Sequence, residues 1–292
     1  MSRFRYCKID AFTSTHSSGN PAACLYLEPG QALSEAEMLA IAREHKGFVS
    51  EVVYCTSLAG DCFRLAYYSS ECEVDFCGHG TIACMYHLLG SRAELAARPQ
   101  VEIVTKMGAL AVYNELAALD AVLITAPSPA YPGAPVGAAE AAAALGLAPA
   151  DLDPVLDVDM INAGLNTLLV PVATLERELG LAPDEAALKQ FCLGHGIDIV
   201  LAFSREVFAA GHIARSRVFA PKFGYLEDKA TGSGNSALGY YLLARGLWGG
   251  GPASIEQNGE REGHNVVRLA TREGRVLFGG RATTRIEGEY LL

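Results

Sequence analysis

The sequence lacks the features that mark membrane-spanning and secreted proteins. Its longest apolar runs, such as Val200–Phe203 and Thr167–Val172, fall far short of the roughly 20 residues that a membrane helix needs. The first residues contain no cationic segment followed by an apolar one, as a secretory signal does. The eight cysteines form no CxxC pair, and a disulfide-stapled domain would be shorter and richer in cysteine. We therefore expect a cytoplasmic protein with mostly buried thiols and no membrane partner.

Positive charge is scarce and scattered along the chain. The 292 residues include 23 Lys and Arg against 33 Asp and Glu, which gives a formal net charge of −10. Nucleic-acid binding requires concentrated positive charge, so we expect no nucleic-acid partner. The chain is 50% hydrophobic and 19% charged, which excludes disorder and supplies enough apolar material for one large core or two modest ones. An acidic protein still captures a small anion locally, through backbone amides and a few side chains.

Alternation of apolar and polar residues predicts many strands, beginning with Arg3–Phe12 and Ala22–Leu27. The pattern Ser34-Glu-Ala-Glu37 is typical of a capping box and predicts a helix that stops near Lys46-Gly47. Two further helices are predicted directly behind glycine turns: Thr81–Leu89 behind Cys77-Gly-His-Gly80, and Asn235–Arg245 behind Thr231-Gly-Ser-Gly234.

The chain divides into two similar halves. Four prolines, at 127, 129, 132 and 135, mark the best candidate for a link between domains. We predict one domain over residues 1–125, joined by residues 281–292, and another over 126–280. A fixed shift along the chain places Gly78 on Gly232, Gly80 on Gly234 and Glu73 on Glu227. A period of about half the chain indicates duplication of a domain, since a solenoid repeats every 20–50 residues or so.

Both glycine turns are candidate anion sites, because glycine lets a ligand approach the backbone and a helix start offers unsatisfied N–H groups. Neither turn has the Gly-Lys-Ser/Thr of a phosphate loop or the third glycine of GxGxxG, which argues against nucleotide binding. The alternative is that these glycines only end one segment and begin the next, as glycine before a helix commonly does. The turns favour a carboxylate pocket because reactive residues lie within them, namely Cys77, His79, Thr231 and Ser233.

Three side chains are candidates for proton chemistry. Glu51 begins an apolar strand, where burial would raise its pKa towards neutrality; the alternative is an edge-strand carboxylate that faces solvent. His79 either bonds the backbone of its turn or donates to a substrate. Asp228 either takes part in the reaction or caps the following turn, which is a common place for Asp.

Taken together, these segments resemble the phenazine-biosynthesis isomerase (PhzF-like) family. The likeness rests on ordered motifs that span nearly the whole chain: Ile9-Asp-Ala-Phe-Thr, Gly19-Asn-Pro-Ala-Ala23, Ser50-Glu51, Glu73-Val-Asp-Phe-Cys-Gly-His-Gly80, Glu227-Asp-Lys-Ala-Thr-Gly-Ser233, Glu256-Gln257 and Val276-Leu-Phe-Gly-Gly280. The resemblance implies the α+β fold of diaminopimelate epimerase, with two pseudo-symmetric domains. Each domain is then a barrel-like, mostly antiparallel sheet around one central helix, and the active site lies in the cleft between domains.

The resemblance also implies a function and its residues. The family's best-understood member isomerises trans-2,3-dihydro-3-hydroxyanthranilate without cofactor or metal. Glu51 corresponds to the family's proton-shuttling Glu, and His79, Asp228 and Ser233 to its other active-site residues. The residues then expected to bind a small carboxylate substrate are Asn20, Gly78, Gly80, Gly232, Ser233 and Gly234. Family likeness further implies a homodimer.

The sequence departs from related epimerases at one of their two catalytic thiols. Cys77 occupies the first position, but Thr231 occupies the second, and a hydroxyl is a poor replacement for a thiolate. Two alternatives to the isomerase therefore stay open. One is an amino-acid racemase or epimerase that uses Cys77 as a lone thiol, and the other is a non-catalytic protein that binds small acids.

Overall fold

The computed structural model describes residues 2–292; Met1, the first residue of the predicted first domain, lies outside them. The chain forms two compact units. The first contains residues up to 13, 18–125 and 279–292, and the second contains residues 14–17 and 126–278. That each unit is an independent domain stays a prediction.

The first unit is built mostly of strands. Its strands are β1 (Arg3–Ala11), β2 (Asn20–Leu27), β3 (Glu51–Ser57), β4 (Cys62–Tyr68), β5 (Glu73–Val74), β6 (Gln100–Thr105), β7 (Gly108–Glu115), β8 (Ala121–Thr125) and β17 (Ala282–Leu291). Its helices are α1 (Glu35–Glu44), α2 (Gly78–Ser91), α3 (Ala93–Ala96) and α4 (Leu116–Leu119). The capping box predicted at the start of α1 is confirmed, since Ser34 and Glu37 exchange both hydrogen bonds.

Strands of the first unit pack against α2. Strand β17 pairs with β1, and the order then runs β2, β3, β4, β6, β7 and β8. Helix α2 packs against β1, β2, β3, β8 and β17, which are strands from both ends of that order. Its residues Ile82–Met85 and Leu88–Leu89 are buried, as expected for a helix that is apolar on every side.

The second unit also combines strands and helices. Its strands are β9 (Asp159–Asn162), β10 (Asn166–Pro171), β11 (Ile199–Ser204), β12 (Ala214–Phe219), β13 (Glu227–Asp228), β14 (Ala253–Gln257) and β15 (Asn265–Arg272), and β16 (Arg275–Gly280) continues into the first unit. Its helices are α5 (Ala138–Ala144), α6 (Leu175–Leu179), α7 (Glu185–His195) and α8 (Gly232–Ala244), with 3-10 turns at Pro149–Asp151 and Pro221–Phe223.

The two units share one sequence of strand pairings. In the first, β1–β2, β3–β4 and β6–β7 are antiparallel, whereas β2–β3 and β4–β6 are parallel. In the second, β9–β10, β11–β12 and β14–β15 are antiparallel, whereas β10–β11 and β12–β14 are parallel. A short strand, β5 or β13, precedes the buried helix in each unit. This repetition confirms the predicted pseudo-symmetric α+β fold.

Burial follows the predicted pattern of apolar residues. Helix α1 covers β2 and β3 through Ile41 and Ala42, and in the second unit α5 and α7 cover β10 and β11. Six of the eight free thiols are buried, and Cys72 is exposed. No helix among residues 2–292 is both long and apolar enough to cross a membrane.

Candidate active site

Glu51 is the first residue of β3, in the interior of the sheet. It lies opposite Ala22 on β2, and its neighbour Val52 lies opposite Tyr68 on β4. Strand β3 therefore has partners on both sides, and the edge-strand alternative for Glu51 is wrong. The Glu51 side chain is 21% exposed, so it is largely shielded while still within reach of a ligand.

The glycine turn before α2 brings His79 to Glu51. A Cβ on Gly80 would lie 2.8 Å from Val53 Cγ2, so the missing side chain lets the helix start approach β3. Cys77 caps the helix, because its Sγ accepts the Gly80 N–H at 3.3 Å. His79 follows in the first turn, and its Nε2 lies 3.1 Å from Glu51 Oε2.

Glu51 and His79 form an ion pair. Burial alone would raise the pKa of Glu51, but the charge and hydrogen bond of His79, with a hydrogen bond from Cys77, lower it below its ordinary 4.5. Burial also disfavours the charged form of His79, yet Cys77 and Glu51 together raise its pKa well above 6.5. At neutral pH the site therefore holds a carboxylate beside an imidazolium.

The predicted rise in the pKa of Glu51 is therefore wrong. The expectation considered burial of the carboxyl group and omitted a cation beside it. Opposite charge at hydrogen-bond distance outweighs desolvation here, and the shift reverses its sign. Neither alternative weighed for His79 named Glu51 as its partner.

Cys77 is a thiol in this site. Its Sγ lies 3.8 Å from Glu51 Oε2, towards which it donates, and 3.5 Å from His79 Nδ1. Burial is the largest influence on the Cys77 pKa and raises it, and the imidazolium of His79 only partly opposes that rise. At neutral pH Cys77 is therefore a protonated thiol, which acts as a weak hydrogen-bond donor.

The other residues predicted for the first unit lie near the start of β2 or α2. Asn20 is the first residue of β2, is buried, and pairs with Ala11 in the β1–β2 register. Gly78 and Gly80 occupy the first turn of α2, at its positive end. The site prediction for these residues stays a prediction.

The second glycine turn has different chemistry. Thr231 Oγ1 donates to Asp228 Oδ2 at 2.5 Å, so Asp228 accepts from the turn residue that follows it. Gln257 Oε1 accepts from Thr231 N at 2.8 Å and from Asn235 Nδ2 at 2.6 Å, and Gln257 Nε2 donates to the Asp228 carbonyl at 3.0 Å. The turn is therefore held by amide, hydroxyl and backbone groups together with the Asp228 carboxyl group.

Glycine is also required at the start of α8. A Cβ on Gly232 would lie 2.1 Å from Cε2 of the buried Phe278 ring. Ser233 is half-buried in the first turn of the helix, and Gly234 is buried behind it. The structure places the predicted residues of each glycine turn close together within their own unit.

Individual residue reasoning missed Gln257 as the residue that holds the second turn. Its only signal was the Glu256-Gln257 motif in the family resemblance. The hydrogen bonds to Thr231 and Asn235 connect residues more than 20 positions apart, which no local pattern reveals.

Comparison with known proteins gives the same family along almost the whole chain. The model of the phenazine biosynthesis-like family (PhzC-PhzF) matches residues 9–288. An uncharacterized isomerase of Pseudomonas aeruginosa is 32% identical over 281 residues, with 96% of each chain covered. A Pseudomonas fluorescens protein named trans-2,3-dihydro-3-hydroxyanthranilate isomerase is 30% identical over 277 residues, covering 93% of this chain and 91% of that protein.

Solved structures agree with the fold. A PhzF-family protein of Bacillus anthracis superimposes with a TM-score of 0.83 at 23% identity, with both chains fully covered. A predicted epimerase of Pseudomonas aeruginosa gives a TM-score of 0.75 at 22% identity, covering 99% of each chain. These likenesses confirm the predicted epimerase-like fold, and the named relatives confirm the predicted enzyme class. The chain belongs to the phenazine biosynthesis-like (PhzC-PhzF) family of isomerases.

Proposed function

We propose that this isomerase moves a proton between two carbons of a small, conjugated molecule that carries a carboxylate, with Glu51 as the proton shuttle. The observation that carries the proposal is the Glu51–His79 ion pair, 3.1 Å between Oε2 and Nε2, at the start of a buried helix. It combines a proton acceptor with a cation that can hold an anionic substrate.

The chemistry balances without a cofactor. A substrate C–H bond breaks, its proton goes to a Glu51 oxygen, and the electron pair enters the conjugated system of the substrate. The protonated Glu51 then gives the same proton to a second carbon, where a new C–H bond forms. Glu51 returns to the carboxylate, and nothing is oxidised or reduced.

The lowered pKa of Glu51 restricts the substrate. A carboxylate with a pKa below 4.5 is ionised at neutral pH but is a weak base. It removes a proton only from a carbon whose anion is strongly delocalised, which favours a conjugated substrate over a simple amino acid. A substrate carboxylate that pairs with His79 would also weaken the pull of the imidazolium on Glu51 and raise the basicity of Glu51 in the complex.

The trial substrate follows from this chemistry and from the named relative. Trans-2,3-dihydro-3-hydroxyanthranilate combines a ring carboxylate with conjugated carbons, and the Pseudomonas fluorescens relative is named as its isomerase. We propose that His79 and the amides at Gly78 and Gly80 bind the carboxylate. Asp228 and Ser233 are proposed to bind substrate as the family resemblance implies, and the homodimer stays a prediction.

Glu51→Gln tests the shuttle directly. It keeps the size of the side chain and removes the basic carboxylate. In deuterium oxide, we expect the wild-type protein to incorporate solvent deuterium into the trial substrate. The rate of incorporation by Glu51→Gln should be lower by at least about 10³-fold. Glu71→Gln, at an exposed acid of the same unit, is the matched control and keeps the wild-type rate.

Two outcomes separate the alternatives. Exchange that persists in Glu51→Gln removes Glu51 from the reaction. If the wild-type protein binds cyclic amino acids and related acids in thermal-shift assays but exchanges no proton with any of them, the non-catalytic binding protein is the better description.

A further inference from the structure

A second cluster of potential ligand atoms lies in the second unit, apart from the residues of the proposed reaction. His212 precedes β12, Glu256 lies on β14, and His264 immediately precedes β15. The three segments bring one possible ligand atom from each side chain within 4.8 Å of the other two. The Glu256 side chain is fully buried, and the side chains of His264 and His212 are 7% and 17% exposed.

The spacing suits a small tetrahedral cation. Zinc bonds of about 2.0–2.1 Å to nitrogen and oxygen place neighbouring ligands of a tetrahedron about 3.3 Å apart. Glu256 Oε1 lies 3.0 Å from His212 Nδ1 and 3.9 Å from His264 Nε2, on either side of that value. The two imidazole rings lie nearly perpendicular to each other, at 89°, with centroids 5.7 Å apart.

Hydrogen bonds outside the cluster already orient these ligands. His264 Nδ1 lies 3.0 Å from the Arg261 carbonyl, which can only accept, so Nδ1 donates there and Nε2 is the ring nitrogen that faces Glu256. That distance of 3.9 Å from Nε2 to the carboxylate is too long for a hydrogen bond. Imidazole ligands of metals are commonly held in this way, by donation from the other ring nitrogen to a carbonyl.

The carboxylate is held from its far side. Glu256 Oε2 accepts from Arg215 Nη1 at 2.9 Å and from Phe208 N at 3.1 Å, which leaves Oε1 towards the imidazoles. Oε1 also accepts the Ala209 N–H at 2.7 Å and is hydrogen-bonded to His212 Nδ1 at 3.0 Å, so a bound cation would replace the His212 hydrogen bond and displace its proton. Arg215 opposes a nearby cation, and its second carboxyl partner, Glu178 at 3.2 Å, offsets this only in part, because burial raises the pKa of Glu178 to about 8.

We propose that His212, Glu256 and His264 form a zinc site, with water as the fourth ligand on the more exposed side of His212. The ion would join the segments before β12 and β15 to β14, and it takes no part in the proton shift. The prediction that the reaction uses no metal is therefore unaffected, but the chain itself would hold one.

The test measures metal binding by the full-length protein after removal of bound metal with a chelator. Zinc is titrated by equilibrium dialysis with metal analysis, and Co²⁺ is titrated by its visible absorption. We expect one equivalent of zinc, intense tetrahedral cobalt bands and no thiolate-to-cobalt charge transfer. His212→Gln and His264→Gln should each weaken binding at least about 100-fold. His195→Gln, at a partly exposed histidine of the same unit, is the matched control.

Several results would overturn the proposal. These are an absence of stoichiometric binding by the wild-type protein, unchanged affinity in both histidine variants, or a thiolate charge-transfer band, which assigns the ion to a cysteine-containing site. Circular dichroism checks that each variant folds. If one does not fold, anomalous diffraction from zinc-soaked wild-type crystals decides, because the peak must lie within bonding distance of all three side chains.

Discussion

The two glycine turns occupy equivalent places in the repeated fold and carry different chemistry. Before α2, an ion pair of Glu51 and His79 lies beside the Cys77 thiol. Before α8, Thr231 donates its hydroxyl to Asp228, and the amide of Gln257 ties the turn together. In both turns a glycine is needed because a neighbouring side chain leaves no room for a Cβ, whether Val53 or Phe278.

Equivalent backbone turns in the two units therefore carry different side-chain chemistry. Close packing of the helix start on a strand preserves glycine in both turns. The side chains around it are free to differ, and only the first turn keeps a charged acid and base together. We infer that the first turn performs the proton transfer and that the second binds and positions.

The largest expected difference between the turns comes from His79→Asn. The variant removes the imidazolium but keeps a polar side chain, and we expect kcat/KM to fall by about 10²–10³-fold. Its pH profile should also change. In the wild type, the lowered pKa of Glu51 places the acid limb of the kcat/KM profile, where activity falls as Glu51 is protonated, below pH 4.5. Without His79 the effect of burial dominates, so the limb moves above pH 4.5.

Ser233→Ala is the matched change in the second turn, at the position equivalent to His79. It should lower kcat/KM while leaving the acid limb where the wild type has it. An unmoved limb in His79→Asn would show that the histidine does not control the ionisation of Glu51.

Removing the Gln257 amide should destabilise the second turn and lower the free energy of unfolding of the protein. Gln257→Leu leaves the buried donors Thr231 N and Asn235 Nδ2 without the oxygen that accepts from both. We expect a loss of about 2 kcal/mol in the free energy of unfolding, measured by urea denaturation. Gln190→Leu, at an exposed position on α7, should change it by less than about 0.5 kcal/mol. Equal effects at the two positions would mean that Gln257 does not hold the turn.

The smallest effect is expected from Cys77→Ser. Serine can accept the Gly80 N–H as a helix cap and donate to Glu51, as the thiol does. Because the raised pKa keeps Cys77 a thiol, we expect kcat/KM to change by less than about 10-fold and alkylation of the wild-type Cys77 to be slow at neutral pH. A loss of more than about 100-fold would instead favour the thiol-dependent racemase or epimerase.

Local signals in the sequence predicted the elements of the fold well. The capping box at Ser34 and the apolar strand that begins at Glu51 depend on neighbours a few residues away, and both appear in the structure. The start of α2 was placed three residues late, at Thr81. Glycine signals a turn, whereas here Cys77, outside the usual set of caps, begins the helix at Gly78.

The electrostatics of the site could not be predicted from the same signals. Glu51 and His79 are 28 residues apart and meet only because β3 and the start of α2 pack together. The residue patterns left the roles of Glu51 and His79 open, and the family resemblance implied that both belong to the active site. The sign of the Glu51 pKa shift depends on the distance between them, which neither source gives. The alternating parallel and antiparallel pairings are equally non-local, and the family resemblance implied only a mostly antiparallel sheet.

The charge state of His79 in the free protein tests the ion pair most directly. Its pKa is raised, so its contribution to stability is fully present below pH 6.5 and is lost as the pH rises through the raised value. Nitrogen-15 NMR titration of the imidazole should show an imidazolium at pH 7 in the wild type and a lower pKa in Glu51→Gln. A His79 that is neutral at pH 7, with a pKa at or below 6.5 that Glu51→Gln leaves unchanged, would contradict the ion pair on which the proposed proton shuttle depends.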